Sequence, residues 1–256
     1  VAREGYTFDG WASDKELKNI VTASEDEPFY VTGNTVLYAR FSYIISFETG
    51  IDGVSITPKT AYIGSKVELP ALPASVADDY TLVGWFSGEE QFLPVDFVDY
   101  RGGNITLTAK LSYTISFVTG IDGVTIAPVT LGKGSSIQSM PTAPECEGYT
   151  FKGWFTADDE EADLTGYTGG NITIYAIYEY TVTFVTGVDG VTVDPVTAKA
   201  GKTFPELTAP VREGYTFAGW FTEEGGKGEE VDLEKYNGGN ITVYAKWEAV
   251  EPAPGV

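Results

Sequence analysis

Repetition is the feature that most constrains how this chain can fold. Segments that begin GYTFKGWFT at Gly148 and GYTFAGWFT at Gly214 open the same pattern, and a looser version, DYTLVGWFS, starts at Asp79. Each runs on to Gly-Gly-Asn-Ile-Thr and an alternating apolar segment. The motif tryptophans at positions 85, 154 and 220 lie 69 and 66 residues apart. A fixed period of this length indicates one supersecondary unit used several times, so function belongs first to the array.

A second motif ahead of each pattern sets the boundaries of the copies. It reads SYIISFETGIDGV from Ser42, SYTISFVTGIDGV from Ser112 and EYTVTFVTGVDGV from Glu179. Residues before Ser42 resemble only the back half of a unit, so we expect a piece of a longer protein. A unit of about 70 residues is within the range of domains that fold alone. The predicted divisions are copy 1 (1–41, partial), copy 2 (42–111), copy 3 (112–178), copy 4 (179–247) and a Pro-containing tail or linker (248–256).

Alternation of apolar and polar residues with period two predicts strands within each copy. Tyr180, Val182 and Phe184 alternate with two threonines, whereas no window has a helical stripe. The Asp-Gly pairs after the opening strand predict tight hairpin turns, because they adopt the positive φ values that such turns need. We therefore predict a mainly β protein with little helix, the best candidates being one or two helical turns near 202–207 and near 231–236, where Gly-Gly-Asn then breaks the second. The turn residues are Asp52, Gly53, Asp122, Gly123, Asp189 and Gly190.

Composition excludes several classes of function. With 37 acidic and 16 basic residues the chain carries a net charge of −21, which opposes binding to nucleic acid or an anionic membrane surface. It contains no histidine, the commonest general base and a frequent metal ligand. Its one cysteine, Cys146, cannot form an internal disulfide. No phosphate-binding or dinucleotide motif occurs. We predict no enzyme activity, no cofactor, no metal site and no membrane insertion.

Recurrent aromatic residues are the remaining candidates for a site. Tryptophans at one place in every copy are typical of a core, although a sugar-stacking surface is the alternative. The glycine before each one predicts close packing or a β-bulge. Tyr175 and Tyr244 point opposite the apolar face of their strand, which makes them weak ligand candidates. The acidic loops, such as 158–163, are interpreted as solvated loops, with adventitious calcium as the alternative. The predicted core tryptophans are Trp11, Trp85, Trp154 and Trp220.

The whole unit resembles a known family. An opening strand of the YTVTF kind, a Pro-containing crossover, GYTFxGWFT and a closing NITxYAxW are similar to the Listeria-Bacteroides repeat, the B-repeat of internalin-type bacterial surface proteins. The resemblance covers residues 43–247 and, in part, 1–41. It implies small β-grasp-like domains in secreted or wall-anchored proteins, and it implies no enzyme activity. The copy at 79–111 departs most, with Leu82, Thr108 and Leu111 at aromatic positions.

These observations favour a stalk or spacer of a bacterial surface protein, located outside the cell. One residue separates the closing strand of each copy from the next opening strand, namely Ser42, Ser112 or Glu179. Such short connections predict an elongated rod, because flexible linkers need several Gly or Ser residues. The alternative is an adhesin that binds a host glycan or surface protein through exposed aromatics and variable loops. We expect a monomer.

Overall fold

Strands make up most of the computed structural model, which describes residues 1–24 and 26–251. In chain order they are β1 Thr7–Ala12, β2 Ile20–Val21, β3 Tyr38–Glu48, β4 Ser55–Tyr62, β5 Thr81–Ser87, β6 Glu90–Phe92, β7 Ile105–Val118, β8 Val129–Gly132, β9 Thr150–Phe155, β10 Ile172–Val185, β11 Val196–Lys199, β12 Tyr215–Glu223, β13 Lys227–Glu230 and β14 Ile241–Ala249. The predicted fold class, mainly β, is confirmed.

Helix is confined, in the described part of the chain, to two short turns of copy 2. They are α1, Ala74–Ala77, which follows Pro73 and buries Val76, and a 3-10 turn, Asp96–Val98, which buries Phe97. Proline suits the start of a helix because its φ is already helical and its missing N–H is not needed there. None of the helices among the described residues is long or apolar enough to cross a membrane.

Contacts divide the described residues into two units. The first comprises 1–114, 130–135 and 168–171, and the second comprises the other described residues. In the first unit β3 pairs antiparallel with β1 and β4 and parallel with β7, while β5 pairs antiparallel with β7 and β6. Copy 2 thus has the order β4-β3-β7-β5-β6. The strands that come first and last in its sequence, β3 and β7, are adjacent and parallel. This is a β-grasp order without the long helix.

The second unit repeats the arrangement. Strand β10 pairs parallel with the end of β7 and with β14, and antiparallel with β9 and β11. Strand β12 pairs antiparallel with β14 and β13. Copy 4 therefore has the order β11-β10-β14-β12-β13. Strand β14 continues to Ala249, two residues past the predicted end of the copy, because Glu248 and Ala249 pair with the start of β12. Residues 252–256 of the predicted tail lie outside the described residues.

Three long strands cross the predicted boundaries between copies. Strand β3 contains Ser42, β7 contains Ser112 and β10 contains Glu179, each within an unbroken strand. In β10 the even-numbered residues from Ile174 to Phe184 are buried, Glu179 and its odd neighbours being more exposed except for Ile177. In β7 and β10 the closing strand of one copy and the opening strand of the next are thus one strand with one alternation of buried residues.

A bulge interrupts the strand that carries the motif tryptophan in every copy. The register shifts between Phe8 and Gly10 in β1, between Leu82 and Gly84 in β5, opposite Ile177 and Tyr178 in β10, and between Phe217 and Trp220 in β12. The glycines of β1, β9 and β12 have φ of +118°, +148° and +120°, a region that favours glycine. The bulge is one of the two roles that the sequence predicts for these glycines, and it adds a residue and bends the strand.

Candidate functional site

The motif tryptophans of the three complete copies lie in the core. Trp85, Trp154 and Trp220 are 2%, 6% and 7% exposed. Each packs against the phenylalanine near the end of the same copy's opening strand, which explains why both residues recur. The ring-centre distances are 5.0 Å for Phe47–Trp85, 5.1 Å for Phe117–Trp154 and 4.8 Å for Phe184–Trp220.

Trp11 departs from the core assignment. It is 39% exposed and its ring contacts only Phe8 among the aromatic residues that the structure describes, at 5.5 Å. Among the described residues, no phenylalanine of an opening strand packs against Trp11, whereas one packs against each of the other three tryptophans. The core prediction for Trp11 was therefore wrong.

The Asp-Gly turns differ from the predicted tight hairpin. Gly53, Gly123 and Gly190 have φ of +74°, +76° and +78°, whereas Asp52, Asp122 and Asp189 are not in the positive-φ region. In copy 2 the strand pairing stops at Glu48–Ser55, so a six-residue loop joins the strands. A buried threonine closes each loop by donating its hydroxyl to a backbone carbonyl. The bonds are Thr49–Val54 at 3.2 Å, Thr119–Val124 at 2.7 Å and Thr186–Val191 at 2.5 Å.

The asparagine of each Gly-Gly-Asn motif joins two copies, a role that the sequence reasoning missed. Its side-chain oxygen accepts the backbone N–H of Ile44, Thr114 or Thr181 in the opening strand of its own copy, each at 2.7 Å. Its backbone N–H donates to a carbonyl in the turn before the tryptophan strand of the preceding copy. These bonds are Asn104–Gly5 at 2.8 Å, Asn171–Asp79 at 2.7 Å and Asn240–Gly148 at 2.7 Å.

The second glycine of the motif lets the two backbones touch at this junction. A Cβ on Gly103 would lie 2.8 Å from the carbonyl oxygen of Gly5, and one on Gly239 would lie 3.1 Å from that of Gly148. Both glycines have strongly positive φ, +81° and +87°. Only glycine satisfies both requirements. The identical spacing of the motif in three copies was the available signal.

Replacing Gly103 tests this contact. Gly103→Ala should destabilise the first unit by about 2 to 4 kcal/mol, because positive φ costs roughly 1 to 2 kcal/mol and the overpacked methyl about as much again. Gly64→Ala is the matched control, since Gly64 has φ of +89° but open space within 4 Å. It should cost only about 1 kcal/mol. Urea unfolding measures both, and equal losses would mean that the contact with Gly5 contributes nothing.

Clefts recur beside the closing strand of each complete copy. The cleft of copies 2 and 3, about 560 Å³, is lined by Thr49, Gly50, Lys110 and Lys133 among others. The cleft of copies 3 and 4, about 380 Å³, contains Val118, Gly120, Tyr175, Lys199 and Lys202. The cleft of copy 4, about 260 Å³, contains Thr186, Gly187, Arg212 and Tyr244.

Both tyrosines proposed as ligand candidates line these clefts. Tyr175 is 38% exposed, whereas Tyr244 is half-buried. The position corresponding to them in copy 2 is Thr108. The structure therefore brings each candidate tyrosine to the same place in its own copy, and copy 2 has no aromatic ring there.

Carboxylates of the variable loops bond to their own loops. Hydrogen bonds from the backbone N–H and then the hydroxyl of Thr165 lower the pKa of Asp163, and the Lys235 side chain lowers the pKa of Asp232. No group of three or more Asp, Glu, Cys or His side chains is placed to hold a metal ion within residues 1–24 and 26–251.

Comparison with known proteins identifies the repeated unit. The model of the Listeria-Bacteroides repeat domain matches residues 1–40, 43–110, 113–177 and 180–246. A putative Gly-rich membrane protein of Evansella cellulosilytica is 32% identical over 87% of this chain, and a putative membrane protein of the same organism is 34% identical over 82%. Internalin H of Listeria monocytogenes is 30% identical over 85%.

The matches cover only parts of these relatives. The aligned region is 26%, 33% and 40% of their respective lengths. Among solved structures, SHIRT domains 3-4 from a cell surface protein align with 54% of this chain and 98% of theirs, at 15% identity and a TM-score of 0.15. A TM-score this low supports no argument about this chain.

Proposed function

Because the chain belongs to the Listeria-Bacteroides repeat family, we propose that it is a non-catalytic spacer in an extracellular bacterial surface protein. Two relatives are named as membrane proteins, which supports a location at the cell surface. The repeats would hold another part of the protein away from the cell as an elongated, monomeric rod. The 1–41, 42–111, 112–178 and 179–247 divisions would be its structural units.

The observation that supports this proposal is that one unbroken strand continues across each boundary between copies, which we call a junction. A spacer must resist bending, and a junction bends easily only where the chain is free of hydrogen bonds. Glu179 lies within β10, where it pairs with Lys199 on one side and Thr150 on the other. The bonds of Asn240 to Thr181 and Gly148 hold the same junction from a second direction.

Small-angle X-ray scattering tests the rod. A unit of this size has a radius of gyration of about 11 Å, so three and a half units end to end should span on the order of 100 Å. We expect an elongated distance distribution and the mass of a monomer. A compact particle, with a maximum dimension near that of a globule of 256 residues, would contradict the proposal.

Insertion variants sharpen the scattering test. Four Gly-Ser residues after Glu179 should broaden the distance distribution, because they interrupt β10 at the junction. The control is the same insertion after Gly225, an exposed turn between β12 and β13 with open space around it. This control adds equal length and should leave the distribution nearly unchanged. A similar broadening by both insertions would show that the junction is not the stiff element.

A second candidate function is adhesion. Tyr175 favours it, because this residue is exposed and lines a cleft, and aromatic side chains with an apolar ring and a polar end suit wet binding sites. Binding of the chain to a glycan array, or to a host surface protein, distinguishes the two functions, because a pure spacer binds neither.

A further inference from the structure

We propose that the cleft of copies 3 and 4 binds a saccharide that carries a carboxylate, with Tyr175 as the stacking surface and Lys199 and Lys202 as the partners of the acid group. This inference rests on the second candidate function and gives it a site and a ligand class. It leaves the spacer proposal untouched, because a rod can carry such a site or lack it.

The three clefts are lined by more basic than acidic residues, although the chain as a whole is acidic. The sequence has more than twice as many acidic as basic residues, 37 to 16, yet the residues that line the three clefts include five basic and two acidic ones. The basic residues are Lys110, Lys133, Lys199, Lys202 and Arg212, and the acidic ones are Asp159 and Glu224. An anion is therefore repelled by most of the surface and less so here.

The lysines of the two junction clefts differ in what they already bind. In the cleft of copies 2 and 3, Lys110 forms an ion pair with Glu89 at 2.8 Å, and Lys133 donates to the carbonyl of Gly50 at 2.7 Å. At the next junction the corresponding carbonyl, that of Gly120, accepts the side-chain amide of Asn237 at 3.4 Å. A lysine is not needed for that contact in copy 4.

Lys199 and Lys202 are free to bind a ligand. Both are exposed, and neither forms an ion pair with any residue in the described part of the chain. An ammonium group donates charge-assisted hydrogen bonds to a carboxylate, which are stronger than those between neutral groups. The aromatic face of Tyr175 offers the apolar surface on which the C–H face of a sugar ring packs.

The size of the cleft agrees with a short saccharide. The volume of about 380 Å³ lies within the range of small-molecule sites, roughly 300 to 1,000 Å³. The cleft of copies 2 and 3 is larger but has Thr108 in place of the tyrosine, and its lysines are engaged. The cleft of copies 2 and 3, which lacks the tyrosine and free lysines, therefore serves as a comparison for the cleft of copies 3 and 4 within the same chain.

Nuclear magnetic resonance titration of the full chain tests the site with two oligosaccharides. The probe is hyaluronan tetrasaccharide, which alternates N-acetylglucosamine with glucuronic acid, and the neutral comparison is chitotetraose. We expect saturable shifts of the Tyr175 and Ala200 amides with the first at low salt, weaker binding as salt is added, and little response to the second or to citrate. No saturable shift with hyaluronan tetrasaccharide would overturn the proposal. An equal response to chitotetraose would overturn the assignment of the lysines, and one to citrate would overturn the sugar requirement.

Variants locate the binding in the cleft. Tyr175→Thr introduces the residue that copy 2 has at the same place, and the double change Lys199→Gln and Lys202→Gln removes the charge while keeping similar size. Each should weaken binding by about tenfold or more, which corresponds to about 1.4 kcal/mol. Lys227→Gln, an exposed lysine of β13 outside the clefts, should change it by less than about twofold. Unchanged binding in Tyr175→Thr, with an unchanged melting temperature, would place the ligand elsewhere and refute the site.

Discussion

Trp220→Ala should destabilise copy 4 by about 3 to 5 kcal/mol, the usual cost of removing a large aromatic side chain from a core. The Trp220 ring contacts those of Phe184 at 4.8 Å and Phe217 at 5.1 Å, and its neighbourhood includes Val182 and Val243, both fully buried. Removing the indole leaves a cavity between the opening hairpin and the strands that follow it. Native-state hydrogen exchange of the amides of β12, β14 and the 179–185 part of β10 gives the loss for this copy.

The chain supplies its own control for that experiment. Trp11→Ala removes the same side chain from the equivalent position of copy 1, where the ring is 39% exposed. It should cost about 1 kcal/mol or less, because little cavity can form where solvent already reaches the ring. Similar losses in the two variants would contradict the structural difference between these tryptophans.

Alkaline pH should unfold the protein through its buried tyrosines. Burial raises the pKa of Tyr43 to about 12, assisted by its neighbours Tyr100 and Tyr6, and burial raises the pKa of Tyr178 to about 12, assisted by Cys146. Burial also raises the pKa values of Tyr113 and Tyr180. The Tyr43 hydroxyl has no hydrogen-bond partner among the described residues, so nothing there stabilises a phenolate.

The direction of the effect follows from proton linkage. In the unfolded chain these phenols ionise near pH 10, whereas in the folded chain they stay neutral to higher pH. Their contribution to stability is therefore complete below about pH 10 and is lost as pH rises toward 12. Tyr43 and Tyr178 should each account for a loss on the order of 2 kcal/mol over that window.

Urea unfolding between about pH 8 and about pH 11 measures the first part of this loss. Tyr43→Phe should reduce the slope of stability against pH, because it removes one group that titrates only after unfolding. Tyr30→Phe is the matched control, since Tyr30 is 79% exposed in the folded chain and the change removes the same hydroxyl. A slope that is unaffected by Tyr43→Phe would show that its phenol is not protected in the folded protein.

Features that follow from local periodicity, such as the strands, could be predicted from the sequence, whereas contacts between residues far apart in the chain could not. Alternation predicted the strands, and the register shift at Gly153 and Gly219 followed from a glycine before a large aromatic residue. The hydrogen bonds of Asn104 to Ile44 and Gly5 were missed because these partners are far away in the chain and have no recognisable motif of their own. The Gly-Gly-Asn motif was interpreted only as a break between elements.

Errors at two sites have local physical causes. The tight hairpin was predicted from Asp-Gly alone, whereas Thr49 and its equivalents bond across a longer loop and fix a different turn. Short helical turns were expected near 202–207 and 231–236. The first segment has no regular secondary structure and the second is a turn at 233–235. The helical turns of the described residues occur in copy 2, where the crossover contains Pro73 and Val76. Both errors arise because the local sequence was interpreted without the tertiary contacts that the segment makes.

The adjacent, parallel placement of β3 and β7 determines how copy 2 would respond to a pulling force. The chain enters the copy along β3, before the residues that pair with β7, and leaves along β7, beyond the residues that pair with β3; Ile45 lies opposite Ile105 and Glu48 opposite Thr108. Tension along the chain pulls these strands in opposite directions along their length, so their hydrogen bonds are sheared together and do not open one at a time. Strands β10 and β14 have the same geometry in copy 4. Each complete copy is thus loaded in the direction in which a sheet yields least easily, and a tethered protein made of such copies would extend under shear flow only at forces that break several bonds at once.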